Sequence, residues 1–231
     1  MNDSLHAPEL SARPHKEIVR NALGIAVASG AYALSFGAIS TTAGLSLLQT
    51  CALSILMFTG ASQFALVGVV GGGGSVWAGA ATAALLGSRN ALYGLRLSSL
   101  LDLGGWRRPA AAHFVIDETT AMAIGQDAAQ HSRFAFWLTG LLLFAFWNLG
   151  TIAGALATHA FPDPRALGLD AAPPAAFLAL LAPRLRAREP VAIAIAAGVI
   201  ALVVLPFVPP GVPLLIVAVL VTCYGLLRRT G

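Results

Sequence analysis

The stretch Leu45–Val70, LSLLQTCALSILMFTGASQFALVGVV, decides how this sequence is read. It is long and apolar enough to span a bilayer, which takes about 20 such residues. Yet Phe58-Thr59-Gly60-Ala61-Ser62-Gln63-Phe64 places a glycine and three hydrogen-bonding side chains at its mid-depth. Irregular backbone at that depth is tolerated only where protein or a cavity covers it. A segment broken at Gly60–Gln63 therefore predicts a cavity there.

The rest of the sequence reads outward from this stretch. Of 231 residues, 57% are hydrophobic and 10% charged, against about 25% charged in ordinary soluble domains. Lipid is the solvent that fits, with room for roughly six spans. The fold class is all-α: a polytopic membrane helical bundle with broken or re-entrant segments. Residues 1–20 read as a polar cytoplasmic tail, and 21–231 as a single transmembrane transport domain. A first helix is expected over Asn21–Ala43, rich in small residues that let helix backbones approach in lipid. Gly71–Ser75 is a turn, and Val76–Leu101 is a third apolar segment carrying Ser88, Arg89 and Asn90 near its centre. Ala110–Ala129 is mixed, Phe134–Thr158 is a clear helix, and Val191–Leu205 and Val212–Leu227 are the last two.

Charge placement tests the topology. If every apolar segment up to Leu101 crossed once from an inside N-terminus, Arg107 and Arg108 would lie outside, against the positive-inside tendency. If Leu45–Val70 enters and leaves on one side, and Ala110–Ala129 does not cross, then Arg107, Arg108, Arg133, Arg184, Arg186, Arg188, Arg228 and Arg229 all lie inside. Both termini are then cytoplasmic. The net charge of +4 is scattered at segment ends, so it predicts no nucleic-acid partner. Cys51 and Cys223 sit in apolar runs as packing residues. No histidine pair has metal spacing, and His113, His131 and His159 read as surface residues. No cofactor is expected.

Charges inside apolar segments cost roughly 2.5–3.5 kcal/mol each on insertion scales and are functional candidates by default. Arg89, with Asn90 beside it, suits a carboxylate held bidentately; the alternative is a structural ion pair with Asp117, Glu118 or Asp170. Asp117-Glu118-Thr119-Thr120 reads either as a helix N-terminal turn or as carboxylates facing a cavity, ready for an ammonium or a proton. Ser62 and Gln63 present a hydroxyl and an amide, and a half-helix N-terminus there would attract an anion. Asp170, before Pro173-Pro174, reads as the cap of a short half-helix in Ala171–Pro183. Paired proline- or glycine-interrupted segments point to a transport site. Gly60–Gln63 and Asp170–Pro183 form such a pair and hint at an internal, inverted repeat. Tyr32, Tyr93 and Trp147 read first as packing or interfacial residues. A membrane-embedded enzyme using Asp117 and Glu118 lacks an evident nucleophile or metal, and a non-transporting scaffold subunit would not need a deep arginine.

Leu34-Ser35-Phe36-Gly37, Ala43-Gly44-Leu45-Ser46 and Phe58–Phe64 together resemble the opening of the AzlC family of branched-chain amino-acid permeases. Ser88-Arg89-Asn90-Ala91-Leu92-Tyr93-Gly94 is similar to that family's Asn-Arg-His-x-x-Tyr-Gly stretch, and brings Tyr93 into the candidate set. Asp117-Glu118-Thr119 matches its Asp-Glu-Thr/Ser motif, and Leu169-Asp170 with Phe177–Leu181 is similar to a later region. Ser88 and Asn90 depart from the usual Asn and His, and Pro173-Pro174 from the usual aromatic and small residues; these departures bear on substrate range. The resemblance implies the large subunit of a two-component exporter of branched-chain amino acids, with methionine a related substrate. It implies a small AzlD-like membrane partner, a proton-motive driving force, and a bacterial inner (cell) membrane location, with higher oligomers left open.

Overall fold

The computed structural model describes residues 7–160, 178, 182, 185–209 and 211–229. Helix α1 (Ala7–Thr42) begins well inside the expected tail. Its start is rich in good helix formers (Ala, Glu, Leu, Arg, Lys), and Ile18 is already buried. The first helix, expected from Asn21, therefore starts earlier, within the polar stretch. Its partner is α8 (Ala129–Ala160). His15 packs on the rings of His131 and Phe134, Gly30 on Phe146, Gly37 on Thr151 and Ala155, and Thr41 Oγ1 lies 3.2 Å from Thr158 Oγ1. Residue numbers rise together along both helices, so the two run parallel. This pair supplies a ruler with a His15/His131 end and a Thr42/Thr158 end.

The decisive stretch folds as α2 (Leu47–Leu56) and α3 (Gly60–Gly71), separated by Met57, Phe58 and Thr59. Ser46 opens α2 with a capping box: its Oγ accepts from the Gln49 amide at 3.2 Å, and Gln49 Oε1 accepts from the Ser46 amide at 2.8 Å. Ser46→Ala is expected to cost about 1 kcal/mol, read as a lowered unfolding midpoint in detergent. Descending α2, Thr50 meets Ser40 at 2.8 Å and Ser54 donates to Thr151 at 3.2 Å. At the tip, Gly60 lies against Trp147. Ascending α3, Phe64 stacks on Tyr32 and meets Phe36 edge-on, and Gly71 ends beside Ala43. The segment thus enters and leaves at the Thr42/Thr158 end, as a re-entrant hairpin reaching half-way down. The break falls just before Gly60, leaving Gly60–Gln63 as the first turn of α3.

Next, α4 (Val76–Gly87) returns alongside α3, with Gly79 over Leu66 and Gly87 beside Ser62. Ser88 keeps helical angles (φ −59°, ψ −27°), and α5 (Arg89–Leu101) carries on to the opposite end. There Asp102 adopts φ 47° and pairs with Arg133 at 3.7 Å. Together α4 and α5 make one crossing. A second re-entrant hairpin follows, from the His15/His131 end: α6 (Arg107–His113), a turn at Phe114–Ile116, and α7 (Asp117–Ile124). Thr119 closes that turn, its hydroxyl donating to the Phe114 carbonyl at 2.6 Å and accepting from the Ile116 amide at 3.2 Å. Phe114 abuts Gly140, and Ala123 shares an apolar cluster with Leu97 and Phe136. The mixed region 110–129 does not cross.

The hairpin tips meet at mid-depth, where the Phe58 ring lies against His113, Phe114 and Phe144 at 5.9, 5.8 and 5.1 Å. His113 and His131, expected on the surface, are instead half-buried at packing contacts. The expected counterpart of the first hairpin, Asp170–Pro183, lies outside the described residues, as do the side chain of His159 and residue Arg184; the segment opposed to α2–α3 is α6–α7. Finally α9 (Arg188–Val204) and α10 (Val212–Arg229) run antiparallel, tied by an Arg228–Glu189 ion pair. Their turn holds Gly211 at φ 93° against Val69. Arg107, Arg108, Arg133, Arg186, Arg188 and Arg228 consequently gather at the His15/His131 end. Among the described residues, His15–Thr42, Ala129–Thr158 and Arg188–Phe207 are each long and apolar enough to cross a membrane.

Candidate functional site

The junction of the two hairpins encloses a recess of about 70 Å³ lined by Ser29, Tyr32, Phe58, Thr59, Gly60, Arg89, Asp117, Glu118, Leu143 and Trp147, among others. Each polar group arrives there for a structural reason. Arg89 opens α5 at the level where Gly87 meets Ser62. Asp117 and Glu118 form the first turn of α7, where the helix dipole favours negative charge. Thr59 precedes α3 in extended conformation without capping it by its side chain, so a second helix N-terminus opens onto the recess. Breaking each hairpin at mid-depth is what places two helix starts there.

The central contact is an ion pair between Arg89 Nη2 and Asp117 Oδ2 at 2.6 Å. Its side chains remain 35% and 26% exposed, so both stay reachable from the recess. Among the described residues, Arg89 Nε and Asn90 Oδ1 are buried without a hydrogen-bond partner. The guanidinium thus has bonding capacity left over after Asp117. Around it stand one cation and two carboxylates, enclosed by aromatic and aliphatic walls.

Not every candidate from the sequence joins this group. Arg89, Asp117 and Glu118 are brought together. Gln63 is fully buried and turned into the protein, with all its bonds internal. Ser62 is buried with an unpartnered hydroxyl beside Gly87, outside the recess lining. Asn90 lies next to Arg89 but does not line the recess, and Tyr93 packs on the Leu97–Phe136 cluster further along α5. Asp170 lies outside the described residues. Conversely, the recess recruits Ser29, Tyr32, Phe58, Thr59, Leu143 and Trp147. Tyr32 and Trp147 carried a signal, being polar-tipped aromatics within long spans, but the sequence favoured packing or interfacial roles for them.

A helical membrane bundle with opposed half-helices around a partly exposed charged pair is a protein of the membrane-transporter type. The chain belongs to the AzlC protein family, whose model matches residues 24–161. It is similar to the inner membrane protein YgaZ of Escherichia coli (strain K12), 28% identical over 141 residues, 59% of this chain and 58% of that one. The chain thus spans little more than half of that relative. An uncharacterized membrane protein of Archaeoglobus fulgidus is 31% identical over 203 residues, 86% of this chain and 87% of its own length. No solved structure shows a significant match.

Proposed function

We propose that this chain is the transport subunit of an exporter of branched-chain and related apolar amino acids, working in the cell membrane with a small AzlD-like membrane partner and driven by the proton motive force. The observation that supports it is the Arg89–Asp117 pair at the meeting of the hairpin tips. An amino-acid zwitterion carries the same two charges as that pair. Its carboxylate replaces Asp117 on the arginine, which suits planar bidentate recognition. Its ammonium then takes Asp117 and Glu118, so the net charge of the site is the same before and after loading. Phe58, Leu143, Tyr32 and Trp147 offer an apolar wall for a branched side chain.

At about 70 Å³ the recess is well below the roughly 300–1,000 Å³ of typical ligand sites. Loading therefore requires a hairpin tip to part from α8, and the opposed hairpins give each face of the membrane its own door. Clustering of arginines at the His15/His131 end supports a cytoplasmic placement of that end and of both termini.

The test uses proteoliposomes holding the protein and its small partner, with an imposed proton gradient. Leucine, isoleucine, valine and methionine are expected to move, and leucinamide and N-acetyl-leucine, each missing one charge, are not. Failure of all four amino acids to exceed empty vesicles sinks the reading.

A further inference from the structure

Gln63 uses its whole amide inside the protein. Nε2 donates to the carbonyls of Met57, Leu53 and Ser54 at 2.8, 3.1 and 3.4 Å. These close the last turn of α2, where the break removes the donors a continuing helix would supply. Oε1 accepts the indole N–H of Trp147 at 3.0 Å, in a fully buried bond. That one bond ties the end of α2 and the start of α3 to α8. Trp147 in turn packs so tightly on Gly60 that a Cβ there would stand 2.7 Å from the indole. Its ring stacks over Phe36 and meets Tyr32 edge-on. With Phe64 these rings form a layer between the recess and the Thr42/Thr158 end.

We infer that Gln63 and Trp147 form a latch: their hydrogen bond holds the α2–α3 tip against α8, and its release opens the recess toward the Thr42/Thr158 end. Gln63 is a positioning residue, acting through Trp147, which alone of the two lines the recess. Three features favour a latch over plain packing. The tip is two half-helices joined through the non-helical residues Met57, Phe58 and Thr59, a joint that can take up a change of angle between them. The bond lies in a low-dielectric interior, where an unmade donor or acceptor is costly, so the pair favours the closed tip while it is intact. And of the two side-chain hydrogen bonds that join α2–α3 to α8 among the described residues, Ser54–Thr151 and Gln63–Trp147, only the second reaches the recess wall, so its loss loosens the tip without dismantling the α1–α8 core. The purpose of opening rests on the recess being the substrate site; the opening itself is measured without substrate.

The experiment places a single cysteine at Thr59→Cys on the recess wall, with Cys51 and Cys223 replaced by serine, in native membrane vesicles. Labelling by a charged methanethiosulfonate reagent reports opening. Trp147→Phe, which keeps one aromatic ring but removes the N–H together with the outer indole edge that lies on Gly60, is expected to raise the labelling rate at least about fivefold, the factor one net hydrogen bond confers. In a Gln63→Leu background the same change is expected to raise the rate clearly less, because the acceptor is gone and only the packing on Gly60 is lost. An unchanged rate in Trp147→Phe overturns the latch, and so does an equal rise in both backgrounds, which would assign the effect to the ring. Trp147→Phe leaves the Gln63 bonds to α2 in place and decides the matter where Gln63→Leu does not fold. A protein that labels as expected yet carries no amino acid keeps the latch and loses the transport reading.

Discussion

Replacing Arg89 with alanine is expected to reduce amino-acid efflux to background while leaving the protein in the membrane. Two effects on insertion oppose each other. Removing an arginine at mid-depth relieves roughly 2.5–3.5 kcal/mol on insertion scales, while leaving Asp117 without its cation is destabilising, less so than in a sealed interior because the pair keeps part of its exposure. Membrane levels, read by immunoblot, therefore change little. The site loses its only cation in contact with Asp117 among the described residues, and with it the group proposed to take the substrate carboxylate. Arg89→Lys is expected to retain a small fraction of the rate, since an ammonium supplies the charge but not the planar fork. Efflux from cells loaded with a leucine-containing dipeptide reads the outcome, and normal transport by the alanine variant removes Arg89 from the site.

The largest effect on folding is expected at Gly154. A Cβ on Gly154 would collide with the Leu34 carbonyl, and one on Gly37 or Gly150 with the backbone of the partner helix. The α1–α8 backbones touch through these positions, the close approach that small residues permit in lipid. Gly154→Leu must push the helices apart along their whole shared face. Overpacking typically costs about 1–3 kcal/mol and occasionally more, and here the obstruction is backbone, which cannot rotate away. The variant is expected to aggregate on detergent extraction, seen as loss of the monodisperse peak in size-exclusion chromatography. Gly24→Ala is the control, since a Cβ there meets nothing within 4 Å. A monodisperse, wild-type-like Gly154→Leu removes this interface as the core of the fold.

Much of this architecture was legible because membranes punish polar groups. Arginine placement alone implied that Leu45–Val70 and Ala110–Ala129 turn back, and both do. Arg89, Asp117 and Glu118 stood out as charges in apolar surroundings, and they converge. The start of α1 was misread because its polarity describes exposure, not helix formation. Gln63 was legible as a buried polar residue but not in its orientation: a mid-depth amide serves a ligand and a broken backbone equally well, and only the position of Trp147 distinguishes them. His113 was misplaced because its neighbour Phe58 is remote in sequence and joins it only where the hairpins meet. The pairing of the first hairpin with α6–α7 was hidden for the same reason.

The parallel contact of α1 with α8 also sets the order in which the protein can be built. Thr41 and Thr158, which touch, are separated by 117 positions. At about 5–20 residues per second, α1 waits roughly 6 to 23 s for its partner to be synthesised. Throughout that interval its glycine face is bare, and each hairpin, once made, waits for α8, which supplies the Trp147 indole for one tip and the Gly140 surface for the other. Nascent chains are therefore expected to be most vulnerable to quality-control proteolysis just before α8 emerges, and the core of the bundle closes late, with α9 and α10 still to be added.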